Sequence, residues 1–172
     1  MLGGQTAHPH GVEPSPSVPA VNLGDVVDDF KLPDETGRPR QLSDLLANGP
    51  VVLFFYPAAM TSGCTRESCH FRDLGAEFEA LGAQRVGISA DTVAKQLEFA
   101  QKHSFDYPLL SDSDKSVARM FGVKRLLGPL PNKRSTFVID TDRRVLGAFH
   151  SETNMNSHAD KALDLLRSRH CD

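Results

Sequence analysis

Apolar positions along the chain first become dense at Val51-Val52-Leu53-Phe54-Phe55-Tyr56. This continuous run is rich in β-branched and aromatic residues and reads as a strand buried on both faces, in a central parallel or mixed sheet. A helical stretch from Cys64 to Leu81 follows, ended by Gly82. Gln84 to Ser89 reads as a second strand. Thr92 to Lys102 reads as a helix with Val93, Leu97 and Ala100 on one face. Pro108 to Ser111 is a short strand, and Lys115 to Phe121 a short helix stopped by Gly122. Ser135 to Ile139 and Val145 to His150 are two strands joined by a turn over Asp140 to Arg144. Ala159 to Arg169 closes the chain as an amphipathic helix with Ala162, Leu163, Leu165 and Leu166 apolar. Strands alternating with helices argue an α/β layered sheet.

The first part of the chain lacks this order. Gly3, Gly4, Pro9, Gly11, Pro14, Pro16 and Pro19 punctuate residues 1 to 22, which read as a flexible tail. His8 and His10 then belong to a solvated segment rather than a metal site. The folded part is expected to begin near Asp28, with one domain over residues 23–172 and no internal repeat.

Composition narrows the function classes. At 172 residues the chain suits one domain, and 40% hydrophobic with 24% charged residues is ordinary for a soluble globular protein. A net charge of -3 gives no reason to expect nucleic acid or an acidic membrane as partner. No apolar run approaches the roughly 20 residues a membrane helix needs. No basic stretch followed by an apolar core marks a secretory signal. Three cysteines form an odd, sparse set that argues against a disulfide scaffold and fits a reducing compartment, so a cytoplasmic location is expected.

The chemistry concentrates in Tyr56-Pro57-Ala58-Ala59-Met60-Thr61-Ser62-Gly63-Cys64-Thr65-Arg66-Glu67-Ser68-Cys69-His70. A buried strand ends there, a short loop follows, and a helix starts near Cys64. Ligands in open α/β sheets gather at the carboxyl ends of strands. A thiol at a helix N-terminus meets unpaired N–H groups and the positive end of the dipole, which favour the nucleophilic thiolate. Cys64 and Cys69 are five apart, so on an intact helix their Cα atoms are roughly 8 to 9 Å apart on different faces. A disulfide needs about 7 Å or less. If the two bond, the helix must unwind locally, which describes a redox-coupled switch rather than a staple. Blander readings stand beside this one. Cys64 reads also as a small buried hydrophobe. Zinc binding by Cys64, Cys69 and His70 is weaker, because structural sites space cysteines more closely and supply a second pair. Cys171, one residue from the end, reads as an incidental thiol.

At this segment the sequence resembles a peroxiredoxin of the bacterioferritin-comigratory, PrxQ-like group. Pro57, Thr61 and Cys64 fill the family's loop Pro-x-x-x-Thr-x-x-Cys, and Glu67-Ser68-Cys69-His70-Phe71-Arg72-Asp73 resembles the group's helix with a second cysteine five residues on. Further matches are Gly87-Ile-Ser-Ala-Asp91, Leu110-Ser-Asp112, Phe121-Gly-Val123 and Arg134-Ser-Thr-Phe-Val-Ile-Asp140, in order over roughly residues 25 to 170.

The resemblance implies a thioredoxin-like fold, three-layer α/β/α around a central mixed sheet, with a helix insertion. It implies a peroxidase without cofactor or metal, in which Cys64 is the peroxidatic thiolate. Arg134 would hold the sulfur ionised and stabilise charge on the peroxide oxygens. Thr61 would offer its hydroxyl to sulfur or peroxide, and Pro57 would cover the sulfur. The backbone N–H groups of Gly63 and Cys64 would donate to the substrate oxygens. Cys69 would resolve the resulting sulfenic acid as an intramolecular disulfide, reduced by thioredoxin or a glutaredoxin-like partner. Such resolution needs no second subunit, so a monomer is expected.

Each helper has a plainer reading. Arg134 reads also as a surface cation, Thr61 and Ser62 as helix caps, and Pro57 as a strand terminator. Glu67 reads as a first-turn carboxylate without a catalytic role, and His70 as a half-buried helix residue. The chain departs from the group at Ser62, where proline is frequent, and in the turn Asp140-Thr-Asp-Arg-Arg144, which lacks a glycine. Cys171 falls outside the resemblance and competes with Cys69 for the resolving role. Other functions compete as well. A thiol-disulfide oxidoreductase would want the Cys-x-x-Cys that is absent here, and a redox sensor would use the helix unwinding to change a binding surface. Leu126, Leu127, Gly128, Pro129 and Leu130 suggest an apolar rim for the peroxide's organic part.

Overall fold

The computed structural model describes residues 21–126 and 132–170. The buried run forms β3 (Val51–Phe55) at the centre of a five-stranded sheet of order β5-β4-β3-β6-β7. Strands β4 (Gln84–Ser89) and β5 (Leu109–Ser111) run parallel to β3. Strand β6 (Ser135–Ile139) pairs antiparallel with β3, and β7 (Val145–His150) antiparallel with β6. The sheet is therefore mixed. Alternation along β3 explains why no polar position was visible in it: Val51, Leu53 and Phe55 enter one core, while Val52, Phe54 and Tyr56 enter the other.

Helices α1 (Leu42–Leu46) and α5 (Ser116–Met120) supply Leu42, Leu45, Leu46, Val117 and Ala118 to the first core. Helices α2 (Ser62–Asp73), α3 (Gly75–Ala80), α4 (Val93–His103) and α6 (Ser157–His170) cover the other face with Phe71, Phe78, Phe99, Ala162, Leu163 and Leu166. The layered α/β expectation is thereby met.

Several expectations need correction. The stretch 64–81 is two helices, not one. The chain turns at Leu74 (φ -93, ψ 15), and a Cβ on Gly75 would fall 3.0 Å from the Arg85 guanidinium. Arg85 donates to the carbonyl of Phe71 at 2.9 Å, so a buried cation takes up a carbonyl at the end of α2 that the ladder no longer uses. A two-stranded ribbon, β1 (Lys31–Pro33) with β2 (Pro39–Gln41), and helix α1 precede β3 and were not foreseen. The packed chain also starts before Asp28, since Val27 is buried and Val26 bridges to Arg144. In the turn without glycine, Arg143 itself takes the left-handed conformation (φ 68). Cys171, His8, His10 and the stretch from Leu127 to Leu130 lie outside the described residues, and Leu126 is exposed.

Candidate active site

The carboxyl ends of β3 and β4 are joined by one carboxylate. Asp91 Oδ2 accepts from the backbone N–H of Ala59 at 2.7 Å and from the Ser89 hydroxyl at 2.7 Å. This ties the loop after β3 to the end of β4. Within the loop Met60 is left-handed (φ 70), and the Thr61 hydroxyl donates to the Ala58 carbonyl at 2.9 Å. Thr61 takes the N-cap position in extended geometry without a side-chain cap bond. Its hydroxyl fastens the loop rather than capping the helix or bonding the sulfur. Pro57, after β3 and Tyr56, is buried.

Helix α2 starts at Ser62, and the first N–H to turn back into it is that of Thr65, to the Thr61 carbonyl at 2.9 Å. The N–H groups of Gly63 and Cys64 lie in the first turn, which has no intrahelical acceptors for them. Cys64 is 0% exposed. Arg134 Nη2 donates to its Sγ at 3.3 Å. Antiparallel pairing of β6 with β3, with Ser135 opposite Phe55, brings Arg134 there. So four sequence candidates, Cys64, Arg134, Gly63 and Thr61, come together at the end of β3. Arg134 is buried, which removes its reading as a surface cation.

Cys69 lies one and a half turns on, half-buried in the same helix, and both cysteines are free thiols. Burial pushes the Cys69 thiol up, with Arg72 pulling the other way and Asp73 adding to the rise. His70 turns outward to Asp160 at 2.7 Å, linking α2 to α6 and leaving the cysteines.

Behind Arg134 stand Glu67, whose place the sequence misassigned, and His158, Glu152 and Met155, which it did not single out. Glu67, one turn after Cys64, is 0% exposed. Its Oε1 stands 3.4 Å from Arg134 Nη1 and its Oε2 3.6 Å from His158 Nε2. Neither oxygen is hydrogen-bonded. Burial lifts its carboxyl to about 8, against the pull of Arg134. The first-turn reading of Glu67 is therefore wrong: the side chain points into the protein. His158 is pushed below its ordinary value, first by burial. Its Nδ1 meets the Thr136 hydroxyl at 2.8 Å and its Nε2 the Ser151 carbonyl at 2.9 Å. A neutral ring donating from Nε2 fits both partners. From the segment between β7 and α6, Glu152 accepts from the backbone N–H of Arg134 at 3.1 Å and pairs with Arg125 at 2.9 Å. Met155 from the same segment packs beside the helix start: a Cβ on Gly63 would fall 3.0 Å from its Cε and 3.3 Å from Arg134 Nη2.

Residues 23–147 match the AhpC/TSA family. A crystal structure of the peroxidoxin BcpB from Mycobacterium tuberculosis shares 64% identity and superimposes with a TM-score of 0.83, covering 86% of this chain and 97% of that one. The chain is a peroxiredoxin of the AhpC/TSA family. Two further relatives place it in the PrxQ-like group. The chloroplastic peroxiredoxin Q of Sedum lineare is 39% identical over 149 residues, 86% of this peroxiredoxin and 79% of the relative. A mutant of Xylella fastidiosa PrxQ superimposes with a TM-score of 0.82 at 30% identity, over 90% and 99% of the two chains. The sheet is accordingly that of a thioredoxin-like fold, and the peroxiredoxin reduces peroxides by thiol chemistry.

Proposed function

We propose that Cys64 is the peroxidatic thiol, that Cys69 resolves its sulfenic acid within the same chain, and that a dithiol protein of the thioredoxin type recycles the disulfide. The observation that carries this reading is the 3.3 Å contact from Arg134 Nη2 to Cys64 Sγ. It sets a fixed cation and donor fork against a sulfur that starts a helix.

In the first step the Cys64 thiolate attacks one oxygen of the hydroperoxide. An S–O bond forms and the O–O bond breaks, and the leaving oxygen takes a proton and departs as water or an alcohol. Negative charge develops on that oxygen. Arg134 and the first-turn N–H groups of Gly63 and Cys64 are the donors available to it. Burial excludes competing water from the same place. Burial raises the Glu67 carboxyl against the pull of Arg134, which favours its neutral form and leaves more of the Arg134 charge to the reacting sulfur and oxygens.

In the second step Cys69 attacks the Cys64 sulfenic sulfur. The S–S bond forms and the oxygen leaves as water. Cys69 lies five positions after Cys64 on the helix, roughly 8 to 9 Å between Cα atoms, so α2 must open first. Exchange with a dithiol protein restores both thiols. Resolution within one chain makes the monomer the working form.

The test is a peptide map. The reduced protein takes one equivalent of hydrogen peroxide, free thiols are blocked, and trypsin is applied without reductant. The expected product is the peptide Gln41 to Arg66 linked to Glu67 to Arg72. A link from Cys64 to Cys171 reassigns resolution, and three unmodified thiols refute the reading.

A further inference from the structure

The carbonyl just before Cys69 carries a hydrogen bond that its own helix does not supply. Tyr107, 5% exposed, donates its hydroxyl to the Ser68 oxygen at 2.6 Å. The helical ladder already directs the Arg72 N–H at that oxygen, so the tyrosine bond is an addition from outside α2. Tyr107 is itself fixed in place. Its ring stacks on Phe105 (5.3 Å, 20°) and meets Phe54 edge-on (5.6 Å, 70°). The Arg85 guanidinium lies 5.1 Å over its face. A helix that opens between Cys64 and Cys69 leaves this hydroxyl behind, buried and without its acceptor, which is unfavourable.

We propose that Tyr107 is a positioning residue that governs how long the Cys64 sulfenic acid survives, by holding the backbone at Ser68 in the closed helix. The inference rests on the reading of Cys69 as the resolving thiol. A sulfenic acid has two fates. Cys69 can attack it, forming the S–S bond and releasing water, or the sulfur can attack a second hydroperoxide. The latter forms a second S–O bond, breaks that O–O bond and yields a sulfinic acid with water or an alcohol. The first fate requires an open α2 and the second proceeds with the helix closed. A bond present only in the closed form slows resolution and leaves the other branch untouched. One net hydrogen bond of this kind shifts the opening equilibrium roughly two- to tenfold.

The variant Tyr107→Phe keeps the ring and deletes the bond. Thr92→Ala is the control: its hydroxyl caps α4 by accepting from the Lys95 backbone N–H at 3.2 Å, so its loss weakens the fold without deleting a bond to α2. Mass spectrometry reads the ratio of Cys64 sulfinic acid to Cys64–Cys69 disulfide across a peroxide series, and stopped flow reads the first oxidation. Tyr107→Phe is expected to move the ratio roughly two- to tenfold towards disulfide, with first oxidation unchanged and Thr92→Ala at the wild-type ratio. A wild-type ratio in Tyr107→Phe overturns the inference. An equal shift in Thr92→Ala does so too, since general loosening then suffices. Wild-type protein that oxidises Cys64 but never links it to Cys69 refutes the resolving role itself, and the inference with it, before any variant is made.

Discussion

Arg134 divides its guanidinium between Cys64 and Glu67, Nη2 at 3.3 Å from the sulfur and Nη1 at 3.4 Å from the carboxyl. Both partners sit on one face of α2 and are sealed from solvent. Two anions there would compete for one cation. Burial raises the Glu67 carboxyl and so weakens one of the two claims on the cation.

Replacing Arg134 with lysine keeps a charge and removes the fork. A single flexible ammonium cannot face sulfur, peroxide oxygen and Glu67 together. Stopped-flow oxidation of Cys64 in Arg134→Lys is expected to slow by about 10² or more, the usual cost of losing a transition-state donor. A rate within threefold of wild type would show that the contact carries no catalytic weight.

Glu67 ties stability to pH. Its folded carboxyl lies at about 8 against an ordinary 4.5, because burial disfavours the anion. The folded state thus holds the proton more tightly than the unfolded chain. That stabilisation is complete below 4.5 and drains away as pH rises towards about 8. Glu67→Gln keeps the shape and cannot ionise. Urea midpoints of wild type should fall relative to Glu67→Gln between about pH 5 and pH 8, and parallel profiles would mean that Arg134 keeps Glu67 ionised throughout.

Gly63 leaves room for Met155 and for the Arg134 guanidinium that faces the Cys64 sulfur. An added Cβ would meet Met155 Cε at 3.0 Å and Arg134 Nη2 at 3.3 Å. The methionine end is flexible and gives way, whereas the guanidinium must shift from the sulfur. Gly63→Ala should therefore lower the oxidation rate by roughly ten- to a hundredfold while the melting temperature stays nearly constant. A large drop in melting temperature would assign the crowding to the backbone instead.

Phe71 anchors α2 to the sheet. It is fully buried and stacks on Phe54 at 4.1 Å and 8°. Phe71→Ala should cost about 3–5 kcal/mol in chemical denaturation. A cost below about 1 kcal/mol would indicate that the helix refills the space.

What the sequence could and could not show follows from distance along the chain. Pro57, Thr61 and Cys64 lie close together along the chain, across the loop and the start of α2, so their grouping was visible as spacing. Arg134 was reached through its resemblance to the family, because only the β3–β6 pairing makes it a neighbour. Glu67 was seen and misread, since helical position alone does not say which face meets a buried cation. His158, Glu152 and Met155 gave no signal: they become neighbours of the site only once β7 and α6 are docked. The ribbon β1–β2 was missed because its strands, of 3 residues each, include Pro33 and Pro39 and are too short for a period to emerge. The break at Leu74 was hidden because Gly75 is tolerable within a helix, and the Arg85 guanidinium that packs against it arrives from β4.

Antiparallel pairing of β3 with β6 has a consequence in time. Seventy residues of chain separate the sulfur from its guanidinium. Synthesis runs from the N-terminus at about 5–20 residues per second, so Cys64 leaves the ribosome seconds before Arg134 exists. A nascent or stalled chain carries the cysteine without its cation, without Glu152 and without α6. The reactivity proposed for Cys64 thus waits until Arg134 has been made and β6 has paired with β3.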